Sequence, residues 1–153
     1  AIQGMKISIF DVSDVANPTE MFKTVIGDRG TESPLLYNHH ALLLEKDKNL
    51  LSFPVTVYTA PTNTSNTEYA SEPVPTFQGA YVYDISLTKG LQLKGKISHY
   101  TSDDYMKSGG TWYPYGKDVE RVVRIGELLY TISQSEVDSH TLSTLNKQDS
   151  VQF

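Results

Sequence analysis

Four histidines, a glycine-bracketed acidic loop and an aromatic-rich stretch are the places where this sequence could do chemistry. His39 and His40 are adjacent and look like a metal pair, but neighbouring side chains on an extended strand point to opposite faces, which makes one ion hard to share. The expected arrangement is one imidazole packed between sheets and the other in solvent. His99 and His140 are isolated in sequence and read as strand or turn residues rather than ligands. No metal site and no cofactor is assigned.

The loop Gly27-Asp28-Arg29-Gly30-Thr31-Glu32-Ser33 has glycines where a tight turn needs positive φ. Asp28 and Arg29 are its candidate ligand-binding residues: Asp28 with Glu32 suits a hard cation, and Arg29 suits an anion. The spacing matches neither an EF-hand loop nor a phosphate-binding loop, so pairing with each other or capping of backbone groups is the expected role. A second candidate surface lies in residues 100–118, where Tyr105, Trp112, Tyr113 and Tyr115 recur among small and polar residues. Such rings stack on a sugar or a partner protein at low entropic cost. The competing expectation is that they cover the end of a core, because exposed aromatic surface is costly.

Several chemistries find no support. There is no Gly-x-Ser-x-Gly elbow, no glycine-rich nucleotide fingerprint and no cysteine, which removes thiol nucleophiles, zinc–thiolate sites and disulfides together. Asp103-Asp104 sits in a polar stretch without the apolar surroundings that raise a catalytic carboxylate. A net charge of −5 argues against nucleic-acid partners, which need a basic stripe. Apolar runs such as Ala41-Leu42-Leu43-Leu44 fall far short of the roughly 20 residues that span a bilayer, so no membrane insertion is expected. The chain starts at Ala1, not Met, and reads as a piece of something longer.

The elements that must carry these residues are strands. Apolar residues recur mainly at period two, and Leu51, Phe53, Val55 and Val57 share one face while Ser52, Pro54 and Thr56 share the other. Pro54 points to an edge or a bulge. The run 40–44, the charged turn 45–49 and this strand read as a hairpin. Residues 59–78 are Thr-, Asn-, Ser-, Pro- and Glu-rich with little apolar content, the composition of a mobile insertion. The sequon Asn63-Thr64-Ser65 within it is a short match of little weight.

An internal repeat organises the rest. Phe10-Asp11-Val12-Ser13 matches Tyr83-Asp84-Ile85-Ser86, with a fainter echo in residues 137–143, and each is followed by a turn and a second strand. Two further strands precede the second and third copies: the hairpin at 40–58, and 121–125 with 128–133 around Gly126-Glu127. The expected fold is all-β, a β-propeller fragment of about two and a half four-stranded antiparallel blades. The expected divisions are an outer half-blade and connection at 1–35, a full blade at 36–99 holding the insertion, an aromatic loop at 100–118 and a full blade at 119–153. A β-sandwich is the alternative that short antiparallel strands also permit.

The runs 6–15, 25–31, 79–86 and 125–133 carry Phe10-Asp11-Val12-Ser13, Gly27-Asp28-Arg29-Gly30-Thr31, Tyr83-Asp84-Ile85-Ser86 and Gly126-Glu127-Leu128-Leu129 in order. In this the chain resembles the C-terminal part of a family of secreted bacterial and archaeal proteins whose C-terminal β-propeller is distantly related to WD-type repeats. The resemblance implies secretion or surface attachment, and it brings no catalytic residues with it. The function expected is a non-catalytic extracellular scaffold or binding module for a protein or glycan. The alternative is part of a secreted hydrolase, acting on glycans or using a metal, with its site near the propeller axis. Unpaired strand edges at both ends also make self-association an expectation.

Overall fold

The structure, a computed structural model, describes residues 4–61, 72–107 and 116–153. Three antiparallel sheets account for nearly all of the regular structure. The first has two strands, β1 (Met5–Asp11) and β2 (Thr19–Ile26). The second runs in the order β3 (Leu43–Glu45), β4 (Leu50–Thr59), β5 (Val74–Ser86) and β6 (Gly90–Ile97). The third has the same sequential order, β7 (Arg121–Ile125), β8 (Leu128–Ile132), β9 (Glu136–Thr141) and β10 (Lys147–Gln152). These are the two complete units and one half-unit that the repeat implies.

The second sheet lies between the other two, and its two faces make two separate cores. Leu51, Phe53, Val55 and Val57, together with Tyr81 and Tyr83, pack against Met5 and Ile26 of the first sheet. Leu50, Ala80, Val82 and Ile97 pack against Val122, Leu129 and Leu142 on the other side. A sandwich would close a single core between two sheets; three stacked sheets with two cores are blades in series. Burying a side chain such as Phe53, fully enclosed here, stabilises by about 1.5–3 kcal/mol. The period-two alternation of residues 51–57 is therefore a direct readout of which blade each side chain meets.

Pro54 sits where its missing N–H does least harm. β3 pairs with β4 only as far as Leu43↔Ser52, and the next contact on that side is the bridge Glu32↔Thr56. Thr56 exchanges both backbone bonds with Glu32, at 3.0 and 2.8 Å, so the backbone of Pro54, two residues earlier, also faces that side. Its carbonyl accepts from the Ser33 hydroxyl at 2.5 Å, and no donor is required of it.

Three local differences from the sequence reading have physical causes. His39–Ala41 forms a 3-10 turn, capped by the Asn38 side chain accepting from the His40 N–H, so the first strand of the hairpin shrinks to Leu43–Glu45. Residues 102–107 form a short helix, α1 (Ser102–Lys107), where the sequence reads as loop. The β4–β5 ladder reaches Thr59↔Val74, and Phe77 stacks edge-on against Tyr81 with Lys96 above both rings. The strand pair thus enters the polar segment from both sides, and residues 62–71 of that segment lie outside the described residues. Among the described residues no helix is long and apolar enough to cross a membrane.

Candidate functional site

The residues that the fold brings together differ from those the sequence singles out. Along β9 the alternate positions Glu136, Asp138 and His140 share one face, and register places Thr131 opposite Asp138 and Leu129 opposite His140. That face looks toward the second sheet, from which the chain leaving β6 delivers His99. The His99 Nε2 lies 2.8 Å from the Thr131 hydroxyl, and its Nδ1 lies 3.5 Å from a Glu136 carboxylate oxygen. All of these groups are enclosed: Glu136 is 6 % exposed, Asp138 2 %, and both imidazoles 5 %.

Asp138 is the best-held charge of the group. The Lys147 ammonium lies 2.6 Å from one of its oxygens, and the Ser150 hydroxyl donates to the other at 2.6 Å, both from β10. Burial pushes its carboxyl upward, but the Lys147 and Ser150 hydrogen bonds outweigh this and hold it below its ordinary value. For His99 and His140 burial dominates the other way, keeping each imidazole below its ordinary value despite the neighbouring carboxylates. The Nδ1 atoms of both rings are buried without a hydrogen-bond partner. Among the described residues no group of histidines and carboxylates is arranged to hold a metal ion. The cluster can knit the chain leaving β6 to β8, β9 and β10.

His99 and His140, far apart in sequence, are thus brought into one cluster by the fold. The signal was present in sequence as the stripe Glu136-x-Asp138-x-His140, but a polar stripe at period two ordinarily marks a solvent face. Here it faces inward. The reading of residues 137–143 as a repeat also sharpens. Leu50 pairs with Asp84 and Leu128 with Thr141, so the counterpart of Tyr83-Asp84 is His140-Thr141, and Asp138 occupies a different position.

His39 and His40, on the 3-10 turn, have ring centroids 4.0 Å apart, and both are exposed. Two expectations about them change. The rings do not diverge as they would on a strand, and neither is packed between sheets.

In the loop after β2, Gly27 and Gly30 adopt φ of 58° and 98°, as the turn requires. The Asp28 N–H donates to Tyr58 O at 2.7 Å, and its carboxylate accepts from the Ala60 N–H at 2.8 Å, so Asp28 ties the loop to the end of β4. Arg29 is exposed. Tyr105 falls on α1, while Trp112, Tyr113 and Tyr115 lie outside the described residues. The two ends around them are joined by Asp104, which accepts from the Thr101 N–H at 2.8 Å and from Lys117 at 2.9 Å. The Thr101 backbone bond and then the Lys117 bond hold its carboxyl down at about 2. Asp104 is thus a capping group rather than a proton donor.

A concave surface accessible to a ligand lies elsewhere among the described residues. A groove of about 660 Å³ runs between β1 and the second sheet, with walls that include Ile9, Leu42, Leu44, Leu51, Phe53 and Leu87. Lys46 is the single titratable side chain among its lining residues. A search of curated proteins and a search of solved structures gave no match. The family model for the β-propeller domain matches residues 1–145, in agreement with the stacked four-stranded sheets, and the chain belongs to that family.

Proposed function

We propose that the chain is a non-catalytic scaffold or binding module in an extracellular setting, engaging a protein or a glycan through its surface. The carrying observation is a division of labour between two places. The acid–base groups that the fold assembles, His99, Glu136, Asp138 and His140, are enclosed between sheets, while the open groove is apolar with one charge at its border. An apolar groove of this kind recognises by shape and desolvation rather than by proton transfer. The extracellular placement, and the kinship with WD-type repeats, rest on the resemblance of residues 6–15, 25–31, 79–86 and 125–133 to secreted propeller proteins. The aromatic residues Tyr105, Trp112, Tyr113 and Tyr115 remain the sequence-based choice for a glycan-contacting surface, and Arg29 for an anion.

The hydrolase alternative has one point in its favour, the two carboxylates beside an imidazole, and needs them to meet a substrate. Incubation of the chain with a panel of polysaccharides decides between the two. Binding without release of reducing ends is expected, and it should weaken on Trp112→Ala. Release of reducing ends that disappears in a folded Glu136→Gln variant would overturn the reading.

A further inference from the structure

On an extended strand two adjacent imidazoles point to opposite faces, and the 3-10 turn His39–Ala41 removes that obstacle. The ring centroids of His39 and His40 lie 4.0 Å apart with their planes tilted by 38°, and both residues are exposed. Among the described residues neither ring has a hydrogen-bond or ion-pair partner, so the ring nitrogens are open to a ligand from solution.

The turn that presents them is held by its own backbone. The Asn38 side chain accepts from the His40 N–H at 3.1 Å, the Ala41 N–H donates to Asn38 O at 3.0 Å, and the Leu42 N–H donates to His39 O at 3.1 Å. Ala41 is 1 % exposed, and the turn lies against β7 of the third sheet. Neither histidine lines the apolar groove beside β1, so the pair stands apart from that place. With the backbone fixed, only the side-chain torsions need ordering when both rings take one ligand, which keeps the entropic cost small.

The donor set selects the ligand. Two imidazoles suit borderline transition ions, whereas calcium and magnesium take oxygen donors. Nitrogens each about 2.0–2.1 Å from one ion lie roughly 3 Å apart when they occupy neighbouring coordination positions, a span that rings this close reach by small rotations. Among the described residues no group of three or more histidines and carboxylates is placed around an ion, so the pair is bidentate and the remaining positions fall to water or to a ligand from solution. For such nitrogen sites affinity rises through nickel to copper(II) and is lower for zinc.

We propose that His39 and His40 together bind one divalent transition ion, copper(II) more tightly than zinc, on the connection between β2 and β3. The site is independent of the protein- or glycan-binding role.

The test is titration of the whole chain with copper(II) and, separately, with zinc, in a buffer that does not coordinate metals, followed by calorimetry and by pulsed electron paramagnetic resonance of the copper form. One ion per chain is expected, with a Kd of about 10 µM or tighter for copper(II), because the second imidazole acts at an effective concentration in the millimolar range or above. His39→Gln and His40→Gln should each weaken binding at least about tenfold, and each should lose one of the two imidazole signals from the spectrum. Both positions are exposed and the Asn38 cap uses the backbone N–H, so these variants keep the fold, which thermal melts of the metal-free forms check. A smaller loss in either variant would overturn the proposal, because a single imidazole or another part of the chain would then carry the ion. A parent Kd weaker than about 10 µM would overturn it as well and mark an adventitious ion only.

Discussion

His99 and Thr131 share a 2.8 Å hydrogen bond between the chain leaving the second sheet and the second strand of the third, inside a layer that also holds Glu136, Asp138 and His140. The bond links blades through a group that can change its charge near neutral pH.

A pH dependence follows. Burial holds both His99 and His140 below the ordinary imidazole value of 6.5, so as pH falls through that value the unfolded chain binds protons that the folded chain refuses. Their contribution is complete above the unfolded-state value and is lost as pH falls toward the folded-state values, with a limiting slope of about 1.4 kcal/mol per pH unit for each ring. Asp138, held below its ordinary 3.8, adds a further loss only at lower pH. Thermal melts from about pH 8 to about pH 5 should show a falling midpoint, less steep in His99→Gln. A midpoint that rises on acidification would contradict the burial of these rings.

Gln78 clamps one residue of the neighbouring unit with both ends of its amide. Its Nε2 donates to Val119 O at 3.1 Å and its Oε1 accepts from Val119 N–H at 2.9 Å, all buried. Gln78→Leu leaves two backbone groups unpaired, and a loss of about 2 kcal/mol or more is expected in urea titration. An unchanged midpoint would mean that the two sheets are not held together at this point.

Asp28 carries a structural prediction against its candidacy as a ligand. Asp28→Ala removes the bond to the Ala60 N–H and should cost about 0.5–1.5 kcal/mol. Glycan or metal binding measured by calorimetry should be the same before and after. A binding signal lost with Asp28 would restore the ligand role.

Two apolar residues on neighbouring strands should respond very differently to truncation. Phe53→Ala, at a fully enclosed position, should cost about 3–5 kcal/mol. Leu44→Ala, on the floor of the open groove, should stay within about 1 kcal/mol. Comparable losses in chemical denaturation would mean that the groove is filled in solution.

The sequence was most informative where one rule governs one element. Alternation at Leu51, Phe53, Val55 and Val57 identifies a strand whose two faces meet different blades, and Gly126-Glu127 between β-branched and leucine-rich runs marks the β7–β8 turn. It was least informative where space overrides pattern. A single 3-10 turn at His39 has no periodicity to detect, and Val74 and Pro75 join a strand only because Thr59 and Tyr58 pair with them. The inward stripe Glu136-x-Asp138-x-His140 looks like a solvent face until His99 and Lys147 arrive from other strands to satisfy it. The groove was invisible for the same reason, because Leu44 and Ile9 come to line one groove only through the stacking of sheets.

The arrangement of two complete units and a half-unit is tested most directly by native-state hydrogen exchange on the dilute chain, read residue by residue by NMR. The central strands β4 and β8 should exchange only through global unfolding, with Val55 and Leu129 among the slowest amides. Along β1, protection should alternate, slow where the N–H faces β2 and fast where it faces the groove. Uniform slow exchange along the whole of Met5–Asp11 would contradict the account, because it would mean that the edge is already paired.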